Sequence, residues 1–402
     1  MSFRRVLTVF AFLLLAFVFA GQVRALLADP TIWPPDDFVE YWAAARLTLE
    51  GGNPFDPSQL LPLEQLAGRK TDEAVMMWNP PWALTVVLPL GLLPAREAQL
   101  LWFAVNLMAM GVCGDRLWLL LGGSRARRWV GLSVALVALP TAFALQSGQV
   151  SPLLLLGAVL FLELQKRNLQ YWAGAATVLL AAKPHLAYLV WAAILVEAHI
   201  RGRWKVVIGG ALTGVVCTLI PLAFDRQLLH QYADALGNRP PEQWVSPTIG
   251  TVLRLVFGAE MFRLQFIPVA VGFLWFVWHI RNCLDRKEFD RSWNWQKQLP
   301  LLLLVSFVTA PYGAWPFDNV LLLPAVVDVI IRSRGRPRRV AIGGLVAINL
   351  GCLILNLLAV PSFWFLWVSP SVLVVYSFAL PRPTKGQPQA YQVEESRALV
   401  SA

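Results

Sequence analysis

Long apolar stretches, broken by short polar loops, run through almost the whole chain. Residues 6–27, 206–224 and 340–360 carry few or no charges over roughly 20 residues, enough at about 1.5 Å per residue to cross a hydrocarbon core of about 30 Å. After the first run, the pattern predicts spans near 98–121, 129–145, 150–165, 169–182, 184–200, 205–224, 262–280, 299–314, 317–331, 340–359 and 362–380. Two apolar stretches, 78–94 and 248–258, are short for a full crossing. They read as half-membrane or re-entrant helices, which are tolerated only where protein or a water-filled cavity covers the backbone. A β-barrel would show short alternating segments instead. The expectation is an all-α polytopic membrane protein with about 11–13 transmembrane or re-entrant helices. Residues 1–380 form one integral-membrane domain, and the polar 381–402 stretch reads as a disordered cytoplasmic tail. Arg4 and Arg5 before the first apolar run resemble a signal peptide, but the run is long and no small-residue cleavage site follows, so it reads as an uncleaved first span.

Charge adds sidedness. Only 14% of the 402 residues are charged and 57% are hydrophobic, whereas a soluble domain has about 25% charged residues. The net charge of +10 is concentrated in short loops at 124–128, 165–167, 201–205, 281–287 and 332–339. That is the positive-inside signature, which places these loops in the cytoplasm. No aromatic-basic module accompanies the charge, so nucleic acid is not an expected partner. The remaining loops then face outward: 28–77 as a first extracytoplasmic loop, 145–152, 181–186, a second large loop at 224–250, and 310–318. Cys113, Cys217, Cys283 and Cys352 form no CxxC pair and give no disulfide framework or zinc site. Many of the 18 tryptophans flank the spans, as an interfacial belt does.

The outward loops carry the candidate chemistry. After the first span comes "WPPDDFVEYWAAARLTLEGGNPFD", with Asp36 or Asp37 able to cap a helix that Gly51 or Gly52 ends. Its apolar spacing predicts a short amphipathic helix at the outer interface. A carboxylate there is a solvated cap or, where partly desolvated, a base of raised pKa. "QSGQ" places Gln149 between two apolar helices, as a plain turn or as the lining of a wet pocket. "AAKPHL" sets Lys183 and His185 at the mouth of two spans, where Lys183 either snorkels or binds a phosphate. Asp318 starts a late span, as a cap or as a supporting acid. The 224–250 loop has no metal-ligand spacing, and no nucleotide-binding motif occurs.

Five of these segments, in order over about 300 residues, resemble glycosyltransferase family 87, the polyprenyl-phosphate-mannose-dependent mannosyltransferase-like membrane proteins of the GT-C fold. They are "DFVEYWAAARLTLEGGNPFDP", "WNPPWALTVVLPLGLLP", "QSGQVSPLLL", "AGAATVLLAAKPHL" and "APYGAWPFDNVLLLPA". The chain departs from the pattern at Trp42, where a second Tyr is frequent, at "SGQVS", and at Pro316–Phe317–Asp318, where some members have His.

The resemblance implies transfer of a monosaccharide from a polyprenyl-phosphate sugar to a lipid or glycan acceptor, at the outer face of the inner (plasma) membrane; direct displacement by the acceptor would invert the anomeric centre. It implies Asp37 as the catalytic base, and no metal or cofactor is expected. Asp36 and Asp318 are possible supporting acids. Lys183, Arg239 and Arg254 are candidates for the donor phosphate. Tyr41, Trp42, Gln149, His185 and Trp244 are candidates for sugar or acceptor contacts. The competing expectation is a transporter or flippase of a lipid-linked sugar, which would gather polar residues near the bilayer midplane. Asn106, Asp115, Asn349 and Asn356 are the main mid-run polar residues, so the polar content gathers at one face instead.

Overall fold

In the computed structural model the described residues are 33–238, 244–284 and 293–380, together with 21, 24, 25 and 29. The first expected span, Arg239 and the 381–402 tail lie outside them. The described residues form helices and turns, with no strand among them.

The helices are α1 Phe38–Glu50, α2 Pro57–Leu66, α3 Ala95–Leu120, α4 Arg128–Val137, α5 Leu139–Ser147, α6 Ser151–Lys166, α7 Gln170–Leu180 and α8 Tyr188–Arg201. They continue as α9 Trp204–Leu222, α10 Leu228–Asn238, α11 Ile249–Phe257, α12 Ile267–Leu284, α13 Trp295–Val308, α14 Leu323–Arg332, α15 Gly335–Leu357 and α16 Val368–Ala379. Five helical stretches among the described residues are long and apolar enough to cross a membrane: α3, Phe262–Cys283, α9, α15 and Ser362–Ala379. The pair α4–α5 makes a sixth if taken as one span, bent by 56°. Pro140 in the first turn of α5 accounts for the bend. The Leu139 N–H beside the break donates to Asn349 Oδ1 of α15 at 2.8 Å. Asn349, a polar residue in mid-run, therefore satisfies freed backbone, which is why a broken helix survives there.

The chain alternates between two ends. α3 begins where Arg96 donates to the Trp33 carbonyl and runs 26 residues, about 39 Å, to the first basic loop. α6 starts beside Asp318 and ends at Lys166; α7 returns to Lys183. α7 and α9 approach closely because Gly174 and Gly209 have no Cβ to meet the facing backbone. At the basic end, charges are tied down by acids. Glu197, only 2% exposed, pairs with Arg201 and Arg203 and accepts from the Trp295 indole. Asp115 pairs with Arg128, and Asp328 with Arg332.

The two short segments fold as short helical pieces. Residues 78–94 form the helical turns Pro81–Ala83, Leu84–Val87 and Leu88–Leu92. Trp78 at one end lines the cavity described below, and at the other the Leu93 carbonyl accepts from the Trp42 indole of α1. α11 has only nine residues, and its Arg254 reaches back to the Trp244 carbonyl.

α1 differs from the expectation. It is no interfacial amphipathic helix, since nearly every residue from Phe38 to Thr48 is buried. The turns at 84–92, together with α2 and α3, enclose it, so the face expected to meet water meets protein. Asp37 occupies the N-cap position but its side chain makes no cap. Asp36 sits at φ +42, a left-handed conformation that Asp tolerates better than most residues. The predicted stop holds: Gly51, at φ +75, closes the helix.

Candidate active site

The outward loops, far apart in sequence, converge on one cavity of ≈ 620 Å³. Asp37 and Glu40 come from the start of α1, and Arg69 from the loop after α2. Gln149 comes from the α5–α6 turn and Lys183 and His185 from the α7–α8 loop. Tyr232 and Trp244 belong to the 224–250 segment, and Tyr312, Trp315 and Asp318 to the segment before α14.

The Asp37 end is built around Gly148. This residue holds φ +71, and a Cβ on it would lie 2.6 Å from Phe38 Cβ. Its carbonyl accepts from the Trp102 indole at 2.6 Å. Seated this way, the turn places Gln149 Nε2 2.8 Å from Asp37 Oδ2. Gln149 Oε1 accepts from Tyr41 Oη at 2.8 Å and from Lys183 Nζ at 3.1 Å. Lys183 also pairs with the fully buried Asp318 at 2.7 Å. Asp318 accepts in addition from the Ser151 hydroxyl and the Trp315 N–H. Burial pushes the Asp37 carboxyl above the usual carboxylate range, against the pull of Gln149, Lys183 and Arg69. Glu40, one turn on, is raised well above its ordinary value, chiefly by burial and then by the Asp37 charge.

The opposite wall is aromatic. Trp78 and Trp244 meet edge to face at 5.6 Å, and Tyr312 lies 4.6 Å from the His185 ring. His185 is held neutral, its pKa lowered to about 3 by burial and by Lys183. Its Nε2 is buried with no hydrogen-bond partner among the described residues, beside Gly313, whose missing side chain leaves that edge clear. Such a wall offers flat apolar faces with a few polar tips, suited to the C–H face of a pyranose.

Of the residues expected at the site, Asp37, Gln149, Lys183, His185, Trp244 and Asp318 line the cavity. Four others do not. Tyr41 is fully buried behind Gln149, and Trp42 is buried with its indole on Leu93. Arg254, 3% exposed, holds the Trp244 backbone rather than facing a ligand. Asp36 is exposed and does not line the cavity. Arg239 lies outside the described residues. Sequence reasoning missed Glu40, Arg69, Tyr232 and Tyr312. Glu40 was legible, because it is three residues from Asp37 and so shares its helix face. The others had no local signal.

A bundle of membrane helices, capped at one end by a carboxylate–amide–lysine cluster facing an aromatic wall, defines a multi-pass membrane protein with a site for a polar ligand. The sequence pattern of glycosyltransferase family 87 matches residues 78–294, more than half of the chain, and the chain belongs to that family; it is a membrane glycosyltransferase. No curated protein and no solved structure matches it. The matched segment contains Gln149, Lys183, His185 and Trp244. Asp37 and Asp318 flank it in sequence and join them through the fold.

Proposed function

We propose that this glycosyltransferase moves a hexose or pentose, with mannose the first candidate, from a polyprenyl-phosphate carrier to a lipid or glycan acceptor. The observation that supports this best is the single cavity in which a buried carboxylate, a lysine and an aromatic wall meet at the end of the bundle away from the basic loops. With the basic loops cytoplasmic, the cavity opens on the outer side of the plasma membrane.

In this reading the acceptor hydroxyl attacks the anomeric carbon as the carbon–oxygen bond to the phosphate breaks. The electron pair leaves with the polyprenyl phosphate, and Asp37 takes the hydroxyl proton. Direct displacement inverts the anomeric centre. The phosphate is an adequate leaving group, so the site needs a base and positive charge but no general acid and no cofactor. Lys183 has three N–H donors; Asp318 and Gln149 engage two, and the third serves a phosphate oxygen. Arg69, lining the same cavity, adds a second positive charge.

The test is transfer of label from a set of polyprenyl-phosphate sugars by purified protein in vesicles containing a lipid extract as acceptor. Labelled product with inverted anomeric configuration is expected from at least one donor. Transfer from nucleotide sugars alone, or retention of configuration, would overturn the reading.

A further inference from the structure

Gln149 was expected to touch sugar or acceptor, yet its three side-chain hydrogen bonds all go to protein. The Lys183 ammonium has donors and no acceptor, so only the amide oxygen of Gln149 can face it. The Tyr41 hydroxyl donates to the same oxygen. An amide group is planar, so fixing Oε1 from two directions turns Nε2 toward Asp37 Oδ2. Gln149 is 4% exposed, which leaves almost no water to compete for the amide. Lys183 cannot drift, because Asp318 holds it at 2.7 Å and is itself held by Ser151 and the Trp315 backbone. The elements that meet here are α1, the 147–151 turn, the 181–186 loop and the 310–318 segment. Their only link to the Asp37 carboxylate by a side-chain hydrogen bond, among the described residues, is Gln149.

We propose that Gln149 is a positioning residue, the last member of a relay Asp318–Lys183–Gln149 that fixes the direction in which the Asp37 carboxylate faces the cavity. The proposal rests on the reading of Asp37 as the base. It makes the Lys183–Asp318 pair part of the base's mounting as well as of the cavity wall. It also accounts for the left-handed glycine before Gln149, whose close approach to Phe38 sets the amide beside Asp37.

The charged groups facing Asp37 are Lys183 and Arg69, which favour the carboxylate, and Asp318, Asp36 and Glu40, which oppose it. Among the groups that pull the Asp37 pKa down, the Gln149 amide comes first. A base works deprotonated, so activity falls as pH falls through the Asp37 pKa. Removing the amide donor raises that pKa and moves the acid limb to higher pH.

The experiment compares pH profiles of kcat/KM for wild type, Gln149→Glu, Gln149→Leu and Asp37→Asn in the vesicle assay, with thermal unfolding as the fold control. Gln149→Glu keeps the shape and the bonds from Lys183 and Tyr41 but offers Asp37 no donor and adds a negative charge. Its acid limb should move up by about one pH unit or more, with Gln149→Leu moving in the same direction by less. At neutral pH kcat should fall on the order of 10²-fold for Gln149→Glu, with donor KM nearly unchanged. A raised KM with the limb in place would make Gln149 a substrate contact and overturn the relay. A uniform fall in kcat at every pH, with the limb fixed, would make its role merely structural and also overturn it. If Asp37→Asn keeps full turnover, the base assignment fails and the relay with it. If Asp37→Asn is inactive while the Gln149 variants leave the limb in place, the relay alone fails.

Discussion

Gly148 and Gly51 form a matched pair of substitutions that separates backbone strain from site geometry. Both hold a left-handed conformation, at φ +71 and +75. Around Gly51 an added Cβ meets nothing within 4 Å; at Gly148 it would lie 2.6 Å from Phe38 Cβ and 3.2 Å from Phe38 Cα. Gly51→Ala should therefore cost only the left-handed strain, roughly 1–2 kcal/mol. Gly148→Ala bears the same strain plus overpacking of about 1–3 kcal/mol.

The catalytic consequence should differ more than the stability. To restore ordinary contact of 3.4–4 Å, the start of α1 must retreat by about 1 Å, and Asp37 is the neighbour of Phe38. A misplacement of about 1 Å can cost about 10²-fold in rate. The assay is kcat from labelled sugar transfer beside thermal unfolding of each variant in the same detergent or vesicle. Gly148→Ala should be the less stable of the two and lose about two orders of magnitude in kcat, while Gly51→Ala keeps kcat within a few-fold. Wild-type kcat in Gly148→Ala, with stability no lower than that of Gly51→Ala, would refute the claim that this contact sets the Asp37–Gln149 geometry.

The Lys183–Asp318 pair gives a second prediction. Lys183→Met leaves Asp318 buried and uncompensated, which should destabilise by about 3–5 kcal/mol, and adding Asp318→Asn should recover much of it. A thermal-unfolding cycle in which the double variant is as unstable as Lys183→Met would contradict the pairing. The third concerns Asp36, whose pKa is raised from 3.8 to about 6, first by partial desolvation of its carboxyl and then by the Asp37 charge. A raised folded-state pKa means stability present below pH 3.8 and lost as pH rises through about 6. Asp36→Asn should therefore flatten the fall in unfolding temperature across that window and leave the protein more stable at neutral pH; an unchanged pH profile would count against it.

The longest spans were legible because hydropathy over about 20 residues is a direct consequence of bilayer thickness. The predicted 98–121 and 205–224 became α3 and α9, and 78–94 and 248–258 formed only short helical pieces. The burial of α1 was not legible. Much of its covering comes from distant segments, the turns at 84–92 and α3, and its own pattern of Phe38, Tyr41 and Trp42 fits an interface as well as a core. The same reason separates the site residues. Asp37, Gln149, Lys183 and Asp318 stood out as polar residues at span ends. Their pairing did not, because it depends on bringing positions 37, 149, 183 and 318 to one point. Arg69 and Tyr312 were invisible for the converse reason: in a polar loop an Arg or Tyr is unremarked until the fold turns it toward a cavity.

Single-turnover transfer by Asp37→Asn and Asp36→Asn, each in folded protein with saturating labelled polyprenyl-phosphate sugar, tests the central claim most directly. The neutral amide cannot take the acceptor's proton, so Asp37→Asn should slow the chemical step by roughly 10²–10⁴-fold. Asp36→Asn, at an exposed residue outside the cavity, should stay within a few-fold of wild type. Normal single-turnover rate in Asp37→Asn would contradict the account.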